Sequence, residues 1–146
     1  MTRQKGIKTM AIDLSNINLE IVDINANATP DLYVNQTGTS FSKRVLEDLS
    51  YPQHVQFSTD PAQRIFAIRA CKGSEKKASP FSKPRGEQPD TLKMSNKNLH
   101  GILTALIPDY TPKTRYKVIG ELDVEKRIMY FDMATAQESA YRAEKA

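Results

Sequence analysis

Polar and apolar residues change period several times along the chain, and each change marks an element. In "HVQFSTD", residues 54–60, Val55 and Phe57 alternate with polar groups, the two-residue period of a half-buried strand. "RIFAIRAC", residues 64–71, is apolar enough for a more deeply buried strand. Between them "DPAQ" places Asp60 at a turn start and Pro61 next, as a type I turn prefers, so the two runs predict a β-hairpin. Upstream, "FSKRVLEDLSYP" changes to helical spacing. Val45, Leu46 and Leu49 make the apolar face, Ser42 the N-cap, Phe41 and Leu46 a hydrophobic staple, and Pro52 the stop. Before it, "DLYVNQTGTSFS" reads as an extended run broken by a turn near Thr37 and Gly38.

The same order returns later in the chain. Met94, Ser95, Lys97, Leu99 and Ile102 follow Phe41, Ser42, Arg44, Leu46 and Leu49 at a constant offset of 53. The second helix, "SNKNLHGILTALI", runs to Pro108. "RYKVIGELD" and "RIMYFDM" then predict a second hairpin, in which Val118, Asp123, Arg127, Ile128 and Phe131 answer Val55, Asp60, Arg64, Ile65 and Ile68 at an offset of 63. Helix then hairpin, twice, predicts an α+β fold of two tandem pseudo-repeats of a strand-helix-β-hairpin unit packed into one β-rich core. A unit of about 40 residues buries its apolar face poorly alone, and a second copy supplies the cover.

The predicted organisation is a flexible basic arm at 1–10, a first β-α-β-β repeat at 11–71, a basic Pro/Ser/Lys-rich linker at 72–93, a second α-β-β repeat at 94–133 and a C-terminal helix at 134–146. "AIDLSNINLEIVDI" predicts an extra strand with Leu19, Ile21 and Val22 inward. "KGSEKKASPFSKPRGEQPDT" is poor in apolar residues and predicts a mobile connector. In "ATAQESAYRAEKA", Ala136, Ala140 and Tyr141 follow Met133 at helical spacing.

At 146 residues, 39% hydrophobic and 26% charged, the chain is long enough for one core without metal or disulfide. No apolar run reaches membrane-spanning length and the amino terminus lacks a signal-peptide core, so the expectation is a cytoplasmic protein with no membrane partner. The one cysteine, Cys71, has no partner for a disulfide or a thiol metal site. The net charge of +4 is unevenly spread. Residues 1–10 carry +3, residues 11–71 carry −3, residues 72–97 carry +4, and the remainder balances.

Little in the sequence carries chemistry. His54 and His100 lack motif-spaced partners, the glycines form no phosphate loop, and Asp60 and Asp123 occupy turn positions where Asp caps the backbone. The expectation is a protein without enzymatic activity, cofactor or metal. Lys43, Arg44 and Lys97 stand in the first turns of the two helices, where positive charge opposes the helix dipole and a bound phosphate would offset the cost. With Lys72, Lys76 and Lys77 of the connector they are the candidate nucleic-acid-binding residues.

On these residues the stretch 31–71 resembles the swapped-hairpin unit of AbrB-like and MraZ-like DNA-binding proteins. Gly38 stands at the turn glycine, Lys43 and Arg44 at the basic helix positions, and Leu46 and Leu49 on the apolar helix face. The resemblance implies an intertwined β core and a basic surface on the DNA backbone. Ser42 replaces the family's proline at the helix start, and the second copy has an insertion of ten residues around "PDYTPKTR". Two function classes follow: a small nucleic-acid-associated or transcription-regulatory protein, and a protein-interaction module such as an accessory or inhibitory factor of a mobile element or phage. A homo-oligomer is compatible with either.

Overall fold

The computed structural model describes residues 13–22 and 28–140. It is a β-dominated mixed fold, a curled antiparallel sheet carrying two helices. The elements are β1 (Asp31–Val34), β2 (Thr39–Phe41), α1 (Lys43–Asp48), β3 (His54–Asp60), β4 (Ile65–Cys71), β5 (Ser79–Pro80), β6 (Leu92–Met94), α2 (Lys97–Leu106), β7 (Arg115–Asp123), β8 (Ile128–Asp132) and β9 (Gln137–Ser139). The strands join in the order β5-β3-β4-β8-β7-β1-β2-β6, with β9 on β7.

Strand alternation determines which face is buried. Leu32 and Val34 of β1 point inward opposite Val118 and Tyr116 of β7, and Phe66 and Ile68 of β4 lie opposite Phe131 and Met129 of β8. These side chains, with Phe41, Val45 and Leu103, are almost fully withdrawn from water. At about 1.5–3 kcal/mol for each large side chain buried, this layer is the main source of stability. α1 packs on β1, and α2 packs on β1 and on the 3-10 turn Met133–Thr135.

Strands that flank the helices pair with the β3-β4 and β7-β8 hairpins. β1, which precedes α1, pairs with β7, which follows α2, and β5, which precedes α2, pairs with β3, which follows α1. Two registers are reciprocal. Ala67 faces Tyr130, a position 63 further on, and Ser40 faces Lys93, a position 53 further on. The β3-β4 and β7-β8 hairpin loops both end in an arginine at φ 58°, Arg64 and Arg127. Arg64 Nη1 donates to the carbonyl of Leu106 at the end of α2 (2.9 Å), and Arg127 Nη2 donates to Ser50 Oγ just beyond α1 (3.4 Å). Each guanidinium therefore adds positive charge at the negative end of the helix from the other half of the chain.

Several expectations are corrected. The stretch 72–93 is built into the sheet: β5 extends β3, β6 extends β2, Phe81 packs edge-on against Phe41 at 5.3 Å, and Ser82 is buried with its Oγ donating to Pro52 O (2.6 Å). Composition underrates this stretch because a few anchors suffice when neighbouring strands offer free edges. Residues 137–139 form a strand instead of a helix. β7 is longer than β8 and leaves residues 115–117 for β9 to pair, and a free strand edge outweighs weak helical spacing. Residues 13–22 form no strand. They hold one 3-10 turn, Leu14–Asn16, and all ten are exposed. The arm at 1–10 and residues 141–146 lie outside the described residues.

The helix starts differ as well. Ser42 is the N-cap residue of α1, but its hydroxyl accepts from Asp31 N (2.9 Å) and donates to Thr29 O (3.2 Å) rather than capping the helix. α1 stops at Asp48, before Pro52, with Ser50 and Tyr51 both in the left-handed region. α2 is capped by Asn96, whose Oδ1 accepts from Leu99 N (2.9 Å), one residue later than Ser95. The buried face of α2 also departs from the expected one. Leu99, Leu103 and Leu106 point inward, while Ile102, expected to match the buried Leu49, is 48% exposed.

Candidate functional site

Thr39, Ser40 and Phe41 of β2 are all buried because β1 and β6 flank the strand on both sides. The turn before it approaches β6 closely. A side chain added at Gly38 would start 3.0 Å from the carbonyl oxygen of Met94, so glycine lets the turn close. Above this junction lies an open groove of about 730 Å³, walled by residues 35–40, residues 93–95 and Arg115.

The groove has a distinct chemical character. Asn35, Gln36, Thr37, Thr39, Ser40 and Ser95 supply amide and hydroxyl groups, Lys93 and Arg115 supply positive charge, and no carboxylate lines it. Arg115 is held in place by its neighbours: Nε donates to Asn35 Oδ1 (3.0 Å), Nη1 donates to Ala140 O (3.2 Å), and the guanidinium carbon stands 4.0 Å from the centre of the Tyr33 ring. Asn35 is itself fixed. Its Nδ2 donates to Ser40 Oγ (3.1 Å) and its carbonyl oxygen lies 2.7 Å from His100 Nε2. A rigid guanidinium and an exposed ammonium above a floor of neutral donors suit oxyanions, phosphate oxygens above all.

The expected basic residues are more dispersed. Lys43 follows Phe41, which pairs with Leu92, and Lys97 follows Met94, which pairs with Thr39, so the two helix starts leave opposite ends of the β2-β6 ladder. Both lysines are exposed. Arg44 Nε binds Asp48 Oδ1 at 2.9 Å within its own helix. Lys72, Lys76 and Lys77 stand together on a stitched turn beyond β4. There Glu75 accepts from Lys72 N (2.8 Å) and from Arg69 Nη2 (3.0 Å), Arg69 also binds Gln56 Oε1, and Gln56 Nε2 donates to Lys76 O (2.8 Å). The Lys72 amide, with help from Arg69, holds the Glu75 carboxyl below its ordinary value.

Lys93 and Arg115 were missed by sequence reasoning. Lys93 stands at the end of the expected linker, and Arg115 opens a strand in a charge-balanced region; only the β2-β6 and β1-β7 pairings bring them to one groove. Asp60 and Asp123 do make turns, their Oδ1 atoms accepting from Gln63 N (3.3 Å) and Lys126 N (3.1 Å). Among the described residues no cluster of His, Cys, Asp and Glu could hold a metal ion, and no helix is long and apolar enough to cross a membrane. Comparison with protein-family models, with curated proteins and with solved structures finds no match.

Proposed function

We propose that this chain is a small non-enzymatic nucleic-acid-binding protein, regulatory in role, that meets the phosphate backbone through the groove of Lys93 and Arg115. The carrying observation is the groove's composition: two cations and six neutral polar side chains with no acid among them. Lys97, beside the 93–95 wall, and Lys43, at the far end of the same ladder, extend the positive surface. The turn of Lys72, Lys76 and Lys77 is a separate, secondary contact.

The reading includes an internal duplication of swapped-hairpin type, similar to the tandem arrangement of MraZ-like proteins. The reciprocal registers at Ala67 with Tyr130 and Ser40 with Lys93 support it, as does the crossed contact of each hairpin arginine with the opposite helix end. Phosphate contacts of this kind position a protein on a duplex without reading its sequence.

Fluorescence anisotropy with a labelled random duplex at two salt concentrations tests the proposal. Wild-type binding weakens steeply with salt, and Lys93→Ala reduces the slope of log K against log salt by about 0.9, the share of one phosphate contact. Arg115→Lys keeps the charge, loses the fixed fork and weakens binding by a smaller factor. Absence of binding at low salt would overturn the function, and binding indifferent to Lys93 would overturn the site.

A further inference from the structure

The described part of the amino-terminal region is an apolar strand pattern without a strand partner among the described residues. Leu19 is 92% exposed, Ile21 fully exposed and Val22 77% exposed, and Ile17, Leu19 and Ile21 recur at every second position. A contiguous run of large apolar side chains in water marks an interaction site rather than ordinary surface. Its period suits an added strand.

Elsewhere the molecule has a receptor for such a strand. A cavity of about 410 Å³ opens between β3 and β5 on one side and β6 and α2 on the other, and Phe57, Phe66, Met94, Leu99 and Ile102 supply its apolar walls. Ile102, 48% exposed on α2, lines this cavity. Along the cavity runs an unfinished strand edge. β4 pairs with β3 at every position from His54 to Asp60, but β5 pairs only with His54 and Val55. From Phe57 to Asp60 the other side of β3 has no strand partner among the described residues. Strand addition to such an edge supplies backbone hydrogen bonds and pockets for alternate side chains together.

Charge agrees with this pairing. Residues 13–22 carry Asp13 and Glu20 and no basic group, while Lys97 stands between the cavity-lining Asn96 and Asn98, and Lys76 and Lys77 lead into β5. In its own chain the segment stands clear of the cavity. None of residues 13–22 lines it, and all ten are exposed. A second copy supplies an occupant for each cavity, and a twofold exchange fills both cavities at once.

We propose that two copies of this chain exchange their amino-terminal segments, residues 17–22 of each lying along β3 of the other with Leu19 and Ile21 seated in the Phe57, Leu99 and Ile102 cavity. This exchange does not depend on nucleic-acid binding. Sedimentation equilibrium of the full chain tests it, with Leu19→Asp/Ile21→Asp on the arm side and Ile102→Glu on the cavity side. The expected result is a wild-type dimer and two monomeric variants whose circular dichroism keeps the wild-type form, because every substituted position is exposed. A mixture of the two variants regains dimer, since one intact arm then meets one intact cavity. Oxidation of Leu19→Cys/Ile102→Cys in a Cys71→Ser background yields a covalent dimer. A wild-type monomer at all concentrations, a dimer indifferent to both variants, or a crosslink that closes within one chain would overturn the proposal.

Discussion

Under the proposed duplication, the flanks of the two helices are corresponding parts built to different degrees of completion. Beside α1, β1 pairs with β7 over four positions and presents Leu32, fully buried, opposite Val118. Beside α2, the corresponding strand β5 pairs with β3 over two positions and presents Ser79 opposite Val55. The first flank is closed core, and the second leaves the 410 Å³ cavity. A shift of side-chain volume accompanies this. On one side Phe57 faces Ile68 and stacks on Phe66 at 5.5 Å; at the corresponding pair Gly120 faces Phe131. The aromatic ring moves from one strand of the hairpin to the other, and the small partner makes the space for it. Similar topology thus gives one flank optimised for packing and another left open to a partner.

The largest expected effect breaks this contrast at Leu32. Leu32→Ala loses about 2–5 kcal/mol of stability, the cost of emptying a closed core, while Ser79→Ala at the corresponding position stays within about 0.5 kcal/mol. Urea denaturation midpoints at matched slope measure both. Equal losses would mean that the two flanks are packed alike.

An intermediate effect belongs to glycine. A Cβ at Gly120 would lie 2.7 Å from Phe131 Cε1 and 2.9 Å from Met129 Sδ, both in fully buried side chains, so Gly120→Ala costs about 1–3 kcal/mol through overpacking. Gly101, within α2, meets open space, and Gly101→Ala there stabilises by about 0.5–1 kcal/mol. Thermal denaturation of the two variants separates them by sign.

The smallest effect sharpens the comparison at the turn before β5. The Glu75 carboxyl titrates below its unfolded value, so its contribution is present above the ordinary glutamate range and is lost as pH falls through the lowered, folded value. Wild type is therefore slightly more stable than Glu75→Gln at pH 6, and the gap narrows as the pH is taken below 4. Melting temperatures of the pair across this range check the direction. The group is exposed, and solvent screening keeps the difference small.

The hairpin strands were legible because their apolar residues alternate, and α2 was legible because its leucines recur at helical spacing. The helix start was less legible. Ser95 and Asn96 are both good caps, and only the folded chain selects Asn96. The basic helix starts could be read from sequence, but the Lys93 and Arg115 groove could not, because those residues sit on strands far apart in the chain. The exposed strand-like run at residues 17–22 was recognised as a strand pattern, but alternation reports a face that wants burial and does not name the surface that buries it.

By itself, then, the sequence determined local periodicity, turn chemistry and the uneven placement of charge, all of which depend on residues within a few positions of one another. Only the tertiary structure decided that β5 and β6 join the sheet, that residues 137–139 pair with β7, and which cations share a groove. Those outcomes depend on which strand edges the rest of the fold leaves unpaired. A backbone edge is the same hydrogen-bonding surface whatever its side chains, so no short stretch of sequence specifies its partner.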